Sequence, residues 1–72
     1  MKDDFKRLIG KRVREARKAK GLTQEDLAAL IDKTVETVSN IERGVKLPGL
    51  ATLEDLRKVL DVKLSDLVDS EQ

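Results

Sequence analysis

The sequence predicts an all-α domain, and three observations carry that prediction. Apolar residues recur at helical spacing, first as Phe5, Leu8, Ile9, Val13 and Ala16 and again in later segments. The core has to be assembled from Leu, Ile, Val and Ala, because Phe5 is the sole aromatic residue, and such side chains suit packed helices. Breakers divide the apolar segments: Gly21, Gly44 and the Pro48-Gly49 pair.

Taken in order, the first helix buries the Phe5 to Ala16 stripe. Asp3 or Asp4 is suited to capping its start, Lys18 and Lys20 complement the negative end of its dipole, and Gly21 stops it. Its polar arc carries Lys11, Arg12, Arg14 and Lys18. These side chains can meet phosphates, but for most of them the reading is an ordinary solvated face, since surface charge alone is weak evidence of a partner.

Thr23 opens the second helix as an N-cap, and Asp26 three residues on completes a short capping box. Leu27, Ala28, Leu30 and Ile31 form the buried stripe of a helix running to about Ile31. Asp32 and Lys33 lead to Thr34, a second cap. Val38, Ile41 and Glu42 then share one face of a helix covering roughly Val35 to Arg43. Two short helices joined by about three residues, with small Ala28 allowing close approach, make a helix-turn-helix over residues 23–43. On the third helix Glu36, Asn40 and Arg43 form an outward stripe, flanked by Thr37 and Ser39.

The segment VKLPG leaves Lys46 free to reach outward. Leu53, Leu56, Val59 and Leu60 are the buried face of a fourth helix, with Leu50 at its start and Glu54 and Lys58 as a solubilising i, i+4 pair. Val62, Leu64, Leu67 and Val68 predict a short fifth helix within residues 61–68, with Val62 and Leu67 assigned to the core. The polar tail, residues 69–72, is expected to be disordered.

Residues 1–72 read as a single domain, and a chain of this size buries only about 60% of its unfolded surface. Cys and His are both absent, which removes disulfides, thiolate chemistry and the usual zinc ligands. With no paired-carboxylate constellation either, no catalytic residue, metal, cofactor or small-molecule ligand is expected, and the chain is read as a non-enzyme. No run approaches the ~20 apolar residues of a membrane span and no signal peptide is evident, so a soluble cytoplasmic protein is expected. The net charge is only +1, yet residues 1–20 hold nine Lys and Arg against three acids, whereas residues 21–72 hold six against eleven. A basic first helix therefore sits on an acidic body.

Leu22-Thr-Gln-Glu-Asp-Leu-Ala28, then Val38-Ser-Asn-Ile-Glu-Arg-Gly44, then Pro48 and Leu53, resemble the Cro and phage-repressor helix-turn-helix family, also called the XRE family. The resemblance keeps register from about Val13 to Leu67, the 13–67 segment. It implies a compact five-helix bundle of the phage-repressor type, with the third helix in the major groove of operator DNA. Arg17, beside the buried stripe, needs an acid, and the resemblance implies that this acid is Glu42, in a structural ion pair.

A helix N-terminus attracts phosphate, and in the family the glutamine matching Gln24 clamps one. Val35, Glu36 and Thr37 reach deepest and Asn40 follows a turn later, so these are the candidates for reading base edges. Ser39, Arg43 and Lys46 suit contacts to the backbone at the rim, and the caps Thr23 and Thr34 complete the DNA-contacting set. The expected function is a sequence-specific transcriptional regulator, a repressor, bound as a homodimer to a palindromic operator in double-stranded DNA. Leu64 and Val68 are the candidates for pairing with the second copy. The rival reading is a protein-interaction module of the same fold, such as an antitoxin.

The chain departs from the family where glycine is usual at Asp32 and Asp61, where Lys33 replaces a small apolar residue, and where Lys63 replaces the usual cap of the fifth helix. Both turns are expected to form at some cost, and Lys33 to lay its stem over the core.

Overall fold

In a computed structural model describing residues 2–69, five helices form from the segments that helical spacing singles out. They are α1 (Lys2–Ala19), α2 (Gln24–Leu30), α3 (Val35–Glu42), α4 (Leu50–Leu60) and α5 (Leu64–Val68). Because α1 already begins at Lys2, Asp3 and Asp4 lie in its first turn and neither occupies the cap position. The last three residues of the tail expected to be disordered fall outside the described residues.

The core draws on all five helices. Ile9 and Val13 of α1, Leu27 of α2, Val38 and Ile41 of α3, Leu56 of α4 and Leu67 of α5 are almost completely shielded from water. Each such side chain contributes about 1.5–3 kcal/mol of transfer free energy. Two residues assigned to buried stripes are instead exposed, Leu30 at 57% and Phe5 at 42%. Phe5 lies in the first turn of α1 and Leu30 is the last residue of α2, so each sits at an end of its stripe, where neighbouring helices cover it only in part. Val59 and Val62 pack against the core only partly.

Helix α1 is the central strut, packing on α3, α4 and α5, while α2 packs on α3. The α1–α3 contact is made backbone to backbone at Gly10. A Cβ there would lie 2.3 Å from the Ile41 carbonyl oxygen and 2.7 Å from that of Glu42. Mid-helix glycine costs about 1 kcal/mol relative to alanine, so the close approach explains why the position holds one. At the other side of α1, Arg12 Nη1 donates to the Asp66 carbonyl at 2.6 Å, tying α1 to α5.

One closing device ends each of α1 to α4. The amides of Gly21, Asp32, Gly44 and Asp61 donate three residues back, and those of Leu22, Lys33, Val45 and Val62 donate five residues back. This is the Schellman pattern, which needs a left-handed residue at its centre. Asp32 (φ 58°) and Asp61 (φ 57°) supply that conformation at two of the four ends. Lys33 is exposed. At α5 the Asp66 carboxylate accepts the Lys63 backbone N–H at 3.1 Å, which replaces part of the missing side-chain cap. On α4, Glu54 pairs most closely with Arg57, at 2.7 Å, and only loosely with Lys58, at 3.9 Å.

Candidate nucleic-acid interface

Local chemistry sets the two helices of the motif. Thr23 Oγ1 accepts the Asp26 amide at 3.0 Å, and the Asp26 carboxylate accepts the Thr23 amide at 2.9 Å, closing a capping box at the start of α2. The Thr23 N–H holds the Asp26 carboxyl below its ordinary value of 3.8. Thr34 Oγ1 accepts the Thr37 amide at 3.1 Å and shares a hydrogen bond of 2.9 Å with the Thr37 hydroxyl. That hydroxyl is therefore held at the first turn of α3.

Behind the motif lies a buried polar hub. Arg17 Nε donates to Glu42 Oε2 at 2.7 Å and Nη2 to Glu42 Oε1 at 3.1 Å, a two-bond fork between a guanidinium and a carboxylate. Arg17 Nη1 donates to the Leu22 carbonyl at 2.8 Å, and Gln24 Nε2 donates to Glu42 Oε1 at 3.1 Å. The Glu42 side chain is only 2% exposed. Its hydrogen bond to Arg17 raises the guanidinium above its already high ordinary value. One carboxylate thus links the end of α1, the α1–α2 turn, the head of α2 and the end of α3.

On α3, Val38 and Ile41 face the core, and the opposite side turns outward. Val35, Glu36, Arg43 and Lys46 are exposed, while Thr37, Ser39 and Asn40 are half-buried. The carbonyl of Asn40 accepts the amides of Val45 and Lys46, which folds the loop carrying Lys46 over the end of α3. The caps Thr23 and Thr34 are exposed at the two helix heads. Gln24 sits half-buried at the head of α2 with its amide nitrogen turned toward Glu42.

A shallow cleft opens between α1, α2 and α3, lined by Arg14, Gln24, Ser39, Glu42 and Arg43. Helical spacing places Arg14 on a solvated arc of α1, and in the fold its neighbours at this cleft come from α2 and the α3 end. The available signal was its position one turn before Arg17 and Lys18. Among the described residues no group of His, Cys, Asp or Glu is placed to hold a metal, and no helix is long and apolar enough to cross a membrane.

Comparison with known proteins agrees with this geometry. A helix-turn-helix family model matches residues 13–67. The chain is 38% identical over 63 residues to the HTH-type transcriptional regulator YazB of Bacillus subtilis, covering 88% of this chain and 91% of YazB. Among solved structures, it is similar to the restriction-modification controller protein C.AhdI of Aeromonas hydrophila. There the TM-score is 0.81 at 37% identity, covering 86% of this chain and 94% of C.AhdI. It is also similar to a chain of the SinR–SinI protein complex, with a TM-score of 0.82 at 34% identity over 89% of this chain and 63% of that one.

Proposed function

This chain belongs to the XRE-type helix-turn-helix family of DNA-binding transcriptional regulators, and we propose that it acts as a repressor, bound as a homodimer to a palindromic operator. The observation that carries this reading is the outward stripe of α3, polar and compact, set opposite the buried Val38 and Ile41. In this reading α3 enters the major groove. Asn40 pairs with adenine, Glu36 accepts from cytosine, Val35 meets a thymine methyl, and Thr37 contacts a thymine methyl or a phosphate. Thr23, Gln24, Thr34, Ser39, Arg43 and Lys46 hold the phosphates on either side.

One such module buries roughly 600–1,000 Å² of protein surface on DNA, so tight binding calls for two copies on half-sites about one helical turn apart. The surface assigned to the second copy is an apolar groove between α1, the α3–α4 loop, α4 and α5. Phe5, Leu47, Leu50, Leu64 and Val68 line it, and Leu50 is 84% exposed. In this reading the second copy covers these exposed apolar side chains.

Selection from a pool of random duplexes tests the reading. A palindromic motif should be enriched, Asn40→Ala should lose preference at one base pair of each half-site, and Arg43→Ala should weaken every duplex alike. Failure to enrich any motif would overturn it. The second reading, a protein-interaction module of the same fold, draws on the acidic Glu36 within the α3 stripe and on the likeness to the SinR–SinI complex. It requires that the chain show no salt-dependent retention on duplex DNA.

A further inference from the structure

We propose that Arg14 is an additional contact to a backbone phosphate, extending the DNA footprint from the helix-turn-helix onto α1. The inference rests on the DNA-binding reading above and deepens it. Arg14 belongs to a different element from the motif, yet it opens onto the same cleft as Gln24, Ser39 and Arg43.

The charges of that cleft are unbalanced. Its one acid, Glu42, gives both carboxylate oxygens to Arg17 and shares one of them with Gln24. Among the described residues neither Arg14 nor Arg43 has a carboxylate in ion-pair contact. The cleft's one carboxylate is therefore already matched by Arg17, and Arg14 and Arg43, which line the same cleft, are uncompensated. A guanidinium in this position presents a fork of donors that matches phosphate oxygens.

The occupant is a linear polyanion and not a single ion, because Arg14 is one member of a row. Arg7, Lys11, Arg14 and Lys18 are all exposed and recur at i, i+4, i+7 and i+11, so they line one side of α1 with successive rises of about 4.5–6 Å. That side abuts the end of α3: a Cβ on Gly44 would lie 2.8 Å from Arg7 Cγ. Through Arg14 the row meets the cleft that Gln24, Ser39 and Arg43 also line, and a DNA strand held at Gln24 and Arg43 runs on past Arg14.

Phosphate contacts carry no sequence information, so a fluorescein-labelled duplex of mixed sequence is a sufficient probe. Binding is measured by anisotropy across a salt series for the wild type, Arg14→Gln, Arg14→Lys and the α4 surface control Lys58→Gln. Arg14→Gln should bind about fivefold more weakly at low salt, and its log–log salt slope should fall by about 0.9 per protomer. Arg14→Lys should recover the slope, and Lys58→Gln should match the wild type. Because Arg14 is exposed and has no ion-pair partner among the described residues, circular dichroism should show all variants folded. Wild-type slope and affinity in Arg14→Gln overturn this inference alone. Absence of salt-dependent binding by the wild type overturns the DNA-binding reading and this inference with it.

Discussion

The carboxylate of Glu42 accepts hydrogen bonds from α1 and α2 and compensates a guanidinium that has little access to water. Removing one partner of such a pair leaves the other charged and buried, at a cost of about 3–5 kcal/mol. Glu42→Ala should therefore lower the urea midpoint by that equivalent. An unchanged midpoint would show that the pair contributes nothing structural. Arg17 was readable as a residue in need of an acid because it borders the apolar stripe of its own helix. Gln24 was not readable in the same way. Its place at a helix head suggests a phosphate contact, and its added hydrogen bond to Glu42 spans 18 residues and depends on how α2 lies against α3. Gly10 follows the same logic: a glycine within a helix signals a close approach, but only the fold identifies α3 as the neighbour.

At the scale of elements, the helix starts were legible and one aspect of the helix ends was costly. Thr23 with Asp26 and Thr34 with Thr37 form their caps within a span of three residues, so their geometry depends on little beyond the local chain. The ends are built on a left-handed residue, and aspartate occupies two of those positions. At the end of α4, Asp61 combines the steric cost of that conformation with a negative charge at the negative end of the helix dipole. Asp61→Gly should raise stability by about 1 kcal/mol, after allowance for the greater chain entropy of glycine. Asp61→Asn should gain less, since it removes the charge and keeps the side chain. Equal or lower thermal midpoints for both variants would contradict this account. Leu30 and Phe5 belong to apolar stripes yet are exposed, because periodicity orients a stripe without stating how much of it a neighbouring helix will cover.

For the whole molecule, acid sensitivity follows from depressed carboxyl groups. Asp26 is lowered by the Thr23 N–H and Glu54 by Arg57, from ordinary values of 3.8 and 4.5. A carboxyl with a lower pKa in the folded state stabilises above its unfolded value and loses that contribution as pH falls through its folded value. The denaturation midpoint should therefore hold from neutrality down to about 4.5, decline below that as Glu54 is protonated, and fall further below 3.8 as Asp26 follows. The gap between wild type and Asp26→Asn should shrink across the acid range. A gap that persists at the acid end would remove Asp26 from the cause. Assembly belongs to this scale as well. Leu64 is 44% exposed in the apolar groove assigned to a second copy. Leu64→Asp should yield a monomer in sedimentation equilibrium on and off DNA while leaving the helical content intact. A dimer that survives the change would move the interface elsewhere.

The sequence by itself determined the all-α class, the positions of the five helices, the two capped starts of the motif and the outward stripe of α3. These depend on residue type and on spacing within a few turns, and the chain carries that information locally. The tertiary structure alone decided which carboxylate oxygen receives Gln24, why Gly10 has no side chain, and which cations border the head of α2. Those properties are distances between residues far apart in the chain, and no local rule contains them. Arg14 shows the difference plainly: along α1 it is one charge in a solvated arc, and in the folded molecule it shares a cleft with Gln24 and Arg43.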